Sequence, residues 1–245
     1  MAERREGERA MSRPAAGAAL GVLLLEGRMA EVPGCLACEA SFPYPVVHRV
    51  VAGSRPPRQL EDVAALRPLY VAAARDLAGQ GVAAITDNCN GRLVLLQRAL
   101  AEAVAVPVVT SALLLVPSLA RLLPGRRIGI LAFDERDVGD WHYQACGFSS
   151  TEVPLAVAGV AASGAWRSFL ATKEAPLARL RQMEADLVAA AGGLHRLHPD
   201  LGALVVECTL LPPAAQAVRD ALGLPVYDIL SLVDAVMAGR GRLLS

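Results

Sequence analysis

The sequence predicts an α/β protein of two pseudo-symmetric lobes, each built on a parallel sheet, with the active site in the cleft between them. Three observations lead there. Short apolar runs alternate with amphipathic segments along the chain. The two halves can be laid over one another: GVLLLE (21–26) on GILAFD (129–134), GVAAITDNC (81–89) on LGALVVEC (201–208), and VPVVTSALL (106–114) on LPVYDILSL (224–232). The step from a cysteine to the next strand's proline is 18 residues in one half (Cys89 to Pro107) and 17 in the other (Cys208 to Pro225). A repeat this long suits neither a solenoid nor a propeller and points to a doubled lobe.

Taken in order, residues 1–17 mix Arg with Glu, carry no hydrophobic stripe, and read as a disordered tail. The first lobe is assigned to 18–123 and the second to 124–228, divided near LLPGRR; residues 229–245 are a helix and tail expected to pack back on the first lobe. Strands are expected at Gly21–Leu25, Val82–Thr86, Pro107–Val109, Arg127–Ala132, Ala203–Val206 and Leu224–Tyr227. Val63 to Ala78 should be a helix, and Leu93, Leu96, Leu100 and Val104 mark the buried face of another.

Composition bounds the function. Over 245 residues, 54% of them hydrophobic, the chain can bury a large core. Its formal net charge is +0 and its arginines form no stripe, so nucleic acid is not an expected partner. No apolar run reaches the roughly 18 residues of a membrane span. Five cysteines without framework spacing suggest free thiols and a cytoplasmic setting. Lys173, the only lysine, lies in ATKEAP without a strand-end context for a Schiff base, and no P-loop or GxGxxG follows a strand. No cofactor is therefore expected. Cys35-x-x-Cys38 and His195-x-x-His198 could be read as a metal set, but this histidine spacing is too short and the pairs fall in different halves, so no metal is expected.

Cys89 and Cys208 carry the chemistry. Each closes a strand and precedes a segment read as a helix, with Pro212 and Pro213 suited to a first turn. A thiol at a helix N-terminus should be acidified below its free value of about 8.5. The N–H groups of Asn90, Gly91, Thr209 and Leu210 are natural donors to a carboxylate. Two thiols facing across a cleft could take a proton from one side of a carbon beside a carboxylate and return one to the other side.

At these residues the chain resembles the aspartate/glutamate racemase superfamily, which includes hydantoin racemase, maleate isomerase and arylmalonate decarboxylase. Cys89-Asn90 resembles its first Cys-Asn motif and Cys208-Thr209 its second Cys-Thr motif, with support from IGIL at 128–131 and from VPVVTS. The resemblance covers about residues 20 to 236. It implies a cofactor-independent racemase or epimerase of a small carboxylate, with Cys89 and Cys208 as the acid/base pair. Asn90 and Thr209 would hold the carboxylate, Thr110 or Ser111 would contribute from the following strand, and the chain would form a homodimer. Gly91 stands where glutamate racemase has threonine, Leu210 where it has histidine or another polar residue, and the loop after the first strand lacks its Asp-Ser signature. These departures point to a more apolar or bulkier acid than glutamate.

Glu26 and Asp134 hold equivalent strand ends and could orient a thiol from behind; Asp87 shares Cys89's side of the strand. Glu207 should point away from Cys208, and His142 reads as a surface or packing residue. The loop after the first strand should overhang the cleft, with Phe42 and Tyr44 shaping the pocket. Two alternatives stand beside the racemase: an isomerase, decarboxylase or lyase in which one cysteine attacks covalently, and a non-catalytic binding protein on the same scaffold.

Overall fold

The computed structural model describes residues 19–57 and 60–239; the expected N-terminal tail, the last six residues and the side chain of Asn90 lie outside the described residues. The first lobe runs β1 (Leu20–Leu25), β2 (Val46–Val51), α1 (Leu60–Gly79), β3 (Ala84–Asp87), α2 (Asn90–Leu93), α3 (Gln97–Ala103) and β4 (Val108–Val109). α4 (Val116–Leu122) then leads to the second lobe: β5 (Arg127–Ala132), α5 (Asp140–Ala145), β6 (Leu155–Gly159), α6 (Gly164–Thr172), α7 (Leu177–Leu197), β7 (Leu201–Val206), α8 (Ala215–Leu222) and β8 (Val226–Tyr227). α9 (Ile229–Ala238) ends the described chain. No helix among the described residues is long and apolar enough to cross a membrane.

Each sheet is parallel, and the strand order repeats: β2-β1-β3-β4 in one lobe, β6-β5-β7-β8 in the other. The central strands β1, β3 and β7 are buried at every residue because helices cover both faces. α1 supplies one cover, with Val63, Leu66, Tyr70, Ala73, Ala74 and Leu77 buried at helical spacing. The edge strands β2 and β6 were not expected from the sequence. VVHRVV is only partly buried and carries His48 and Arg49, while LAVAG is short and small-residued, so neither reads as an apolar run.

The lobes exchange helices. After β4 the chain crosses over, and Val116 and Leu119 of α4 pack against Ile128 and Ile130 of the second sheet. After β8 it crosses back, and Ile229 and Val233 of α9 pack against Leu20, Val22, Ala84 and Val109 of the first. Burying each such side chain is worth about 1.5–3 kcal/mol. Both crossings start with a side-chain cap: Ser111 Oγ accepts from Leu113 N–H, and Asp228 Oδ1 accepts from Ser231 N–H.

Candidate active site

The carboxyl ends of β1, β3, β5 and β7 meet at a cavity of about 460 Å³ between the lobes. Cys89 lines it from one lobe and Cys208 from the other, and the charge of Cys208 acts on Cys89.

Their local settings differ from the sequence expectation. Cys89 precedes a single helical turn, and Gly91 (ψ −117°) breaks that turn at once. A 3-10 turn over 94–96 separates it from α3, so the expected continuous helix comes in three pieces, although Leu93, Leu96 and Leu100 are buried as anticipated. After Cys208, a turn and a 3-10 helix at Pro212–Ala214 precede α8. Neither thiol stands at the mouth of a long helix, and the expected acidification does not occur. Burial pushes both thiols up, reinforced at Cys89 by Asp87 and at both by Glu207, and takes Cys208 to about 12. One contact works the other way on Cys208 alone: the Leu210 N–H donates to its sulfur.

Of the other anticipated residues, Thr209 and Gly91 line the cavity. Thr209 Oγ1 donates to the Asn88 carbonyl at 2.8 Å, fastening the two cysteine loops together across the cleft. Asn88 Oδ1 accepts from Leu25 N–H at 3.0 Å and ties the first of those loops to β1. Asp87 lies behind Cys89, accepting its N–H at 2.9 Å; burial raises this carboxyl well above the usual range. Glu26 and Asp134 both border the cavity but are engaged elsewhere, Glu26 with the loop after β2 and Asp134 within its own loop. Glu26 Oε2 accepts from Gly53 N–H, and Asp134 is held down to about 2 by Arg136.

Thr110 and Ser111 do not border the cavity. Thr110 is fully buried with its hydroxyl donating to Gln97 Oε1 at 2.7 Å, and Ser111 caps the crossing toward α4. The helix exchange turns this segment away from the thiols. Phe42 and Tyr44 are also elsewhere, packed near α9, where Tyr44 OH donates to Asp234 at 2.7 Å. The loop after β1 does cover the cleft, through Arg28, Met29 and Ala30. Its tip seats on the second lobe, where Gly34 has φ +100° and a Cβ would meet the Pro213 backbone at 2.8 Å.

Three residues that the sequence reading set aside border the cavity. Lys173 caps α6 in the left-handed region (φ 59°), a conformation that costs a non-glycine residue about 1 kcal/mol. Burial lowers its ammonium, which the thiols Cys208, Cys89 and Cys35 partly counter. In turn it lowers the thiols. Glu207 is 4% exposed yet faces the cavity, pushed up to about 7 by burial and by Asp137. His142 is a buried wall residue, lowered to about 3 and so neutral. Its Nδ1 accepts from Gly139 N–H, which leaves the ring proton on Nε2, 3.9 Å from Glu207 Oε1. The usable signal for Lys173 was its being the chain's sole lysine.

No family model matches the chain. It is 29% identical over 231 residues to a dimethylsulfoniopropionate lyase from Durusdinium sp. clade D, covering 91% of this chain and 75% of that protein. It is equally identical to dimethylsulfoniopropionate lyase 5 of Emiliania huxleyi (strain CCMP1516), but spans only 42% of that relative's length. Among solved structures, arylmalonate decarboxylase superposes with a TM-score of 0.59 at 20% identity, covering 91% of this chain and 94% of the other. A glutamate racemase from Bacillus anthracis superposes at 0.60 and 16% identity, covering 93% and 84%. The repeated four-strand lobes and the cleft between them are thus the fold of the aspartate/glutamate racemase superfamily.

Proposed function

We propose that this protein is a cofactor-independent enzyme that removes the proton next to the carboxylate of a small acid, and that the reaction is an elimination of the dimethylsulfoniopropionate lyase type. The observation that carries it is two thiols from opposite lobes on one small cavity, both within the electrostatic reach of its only lysine. The likeness to two lyases favours elimination over the racemisation expected from the motifs.

The substrate carboxylate is drawn to Lys173 and to the backbone N–H groups that follow the two cysteines. Cys208 is the base, because its sulfur already accepts the Leu210 N–H and its thiolate is eased by Lys173. Its thiolate takes the α-proton, and the developing charge spreads onto the carboxylate, where Lys173 offsets it. The C–H electrons form the Cα–Cβ double bond, and the Cβ–S bond breaks with its pair going to sulfur. Acrylate and neutral dimethyl sulfide result, and the new thiol proton returns to solvent. The departing sulfide needs no proton, so elimination asks for one base and leaves the Cys89 thiol to steady the substrate.

Racemisation is the second reading, favoured by the placement of one thiol on each lobe. A single experiment separates the two. The purified chain is incubated with dimethylsulfoniopropionate, and dimethyl sulfide and acrylate are measured; amino and hydroxy acids are incubated in parallel in heavy water. Equal amounts of sulfide and acrylate, lost in Cys208→Ser, support the lyase. No release, with deuterium entering the α-carbon of one of the acids, would replace it with the racemase.

A further inference from the structure

We infer that Arg179 is a positioning residue for Lys173: its guanidinium grips the chain on both sides of the lysine and holds the left-handed turn that brings the ammonium to the cavity. This rests on the reading that Lys173 serves the site together with the two thiols.

Lys173 reaches the cavity from an uncommon backbone. α6 ends on it with φ 59° and ψ 19°, and among the described residues it is the only non-glycine with a positive φ. α8 ends in the same conformation, φ 63° and ψ 17°, but its residue there is Gly223, which adopts it without strain. In both helices the cap N–H donates to the carbonyl four residues back, Phe169 at 2.7 Å and Arg219 at 3.0 Å. The turn after α6 thus has the geometry that glycine serves best. It carries the chain's sole lysine, which lines the cavity. A left-handed residue with a side chain persists only where its surroundings fix it.

Those surroundings converge on Arg179, in the first turn of α7. Its Nη1 donates to Thr172 Oγ1 at 3.0 Å and to the Glu174 carbonyl at 2.5 Å, one bond before the lysine and one after it. The Thr172 hydroxyl completes the grip, donating to the Ser168 carbonyl at 2.9 Å and accepting the Glu174 N–H at 3.2 Å. Hydrogen bonds from a charged donor are the stronger kind, and these two leave the turn little freedom. The Glu174 carboxylate pairs with Arg28 of the loop over the cleft, but those side chains are 60% and 66% exposed, so that pair adds little. Only residues 173–176 connect α6 to α7. Without Arg179 the turn can leave the left-handed region and carry the ammonium away while both helices stay folded.

The test needs no substrate. Alkylation of Cys89 and Cys208 by iodoacetamide is followed against pH in the full chain, by mass spectrometry of their peptides. Lys173→Met should slow it at a given pH by roughly threefold, a move of about half a unit to higher pH. Arg179→Met should reproduce most of that move, and should add nothing further to Lys173→Met. Thr172→Val should follow Arg179→Met, while Thr172→Ser, which keeps the hydroxyl, should behave as the parent; circular dichroism checks the fold of each variant. A parent profile in Arg179→Met overturns the inference, and so does an unmoved profile in Lys173→Met. An equal extra move when Arg179→Met is added to Lys173→Met overturns it too, since the arginine would then act by its own charge. Sulfide release reports separately: the coupled move without release sinks only the lyase reading, and release with an unmoved Arg179→Met profile sinks only the positioning role.

Discussion

The two lobes present a cysteine at the same place in the same four-strand sheet, yet the carboxylates beside them are used differently. In the first lobe Asp87 lies inside β3, behind Cys89, and accepts that cysteine's N–H. In the second lobe Glu207, one residue past β7, still donates its N–H to the Leu131 carbonyl at 2.8 Å and borders the cavity beside His142. The Leu210 N–H reaches the sulfur of Cys208, while the contacts that raise Cys89 come from burial and from acidic neighbours. Duplication supplied two equivalent thiols, and the ends of two strands made them unequal. This inequality is what supports the proposed roles, Cys208 as the base and Cys89 as the thiol that keeps its proton.

Serine substitutions break this comparison most sharply. Cys208→Ser should lower the kcat of sulfide release by about 10³-fold or more, the scale of a lost general base. Cys89→Ser should cost about 10- to 100-fold, since positioning is lost and the base remains. Equal losses would remove the division of labour. Next in size, Lys173→Met should raise KM and lower kcat together, by about 10²-fold in kcat/KM. Because Lys173 lowers both thiols, its loss should also move their alkylation by iodoacetamide to higher pH. An unchanged alkylation profile would mean that the lysine does not act on the sulfurs.

Glu207 gives a smaller effect of opposite sign on stability. Its carboxyl titrates near 7 in the fold against an ordinary 4.5. The unfolded chain therefore loses this proton first, and the contribution to stability present below pH 4.5 is lost as pH rises through 7. Glu207→Gln should be more stable than the parent at pH 8, by on the order of 2–3 kcal/mol at most, and show little difference at pH 4. Thermal denaturation at the two pH values reads this. His142 is the mirror case: it titrates near 3 against 6.5, so its contribution is present above 6.5 and lost as pH falls toward 3. Smallest of all, Thr110→Val should lower stability by about 1 kcal/mol through its lost bond to Gln97 and leave KM unchanged. A raised KM would return Thr110 to the site.

Much of the fold was legible because buried parallel strands are apolar runs, and because the repeat lays each cysteine on the other. β2 and β6 escaped notice as edges, where half the residues meet solvent. The thiol pair was legible through the repeat, but its ionisation was not, since the lengths of the helices after Cys89 and Cys208 depend on a break at Gly91 and a turn before Pro212. Glu207 does keep to the strand's alternation, beside His142 on the side of Tyr143 and Cys146 while Cys208 packs on the other, but its bordering the cavity was not foreseen. Thr110 and Ser111 were misplaced because a helix exchange between lobes leaves no local mark. Lys173 reaches the cavity only through the fold around α6, and its rarity was the one clue.

The most direct test is the rate of dimethyl sulfide release from substrate bearing deuterium at its α-carbon, measured in the parent chain and in Cys208→Ser. If Cys208 removes that proton, release from the deuterated substrate should be several-fold slower than from the ordinary one in the parent, and almost absent in the variant. Release at the same rate from both isotopic forms, persisting in Cys208→Ser, would contradict it.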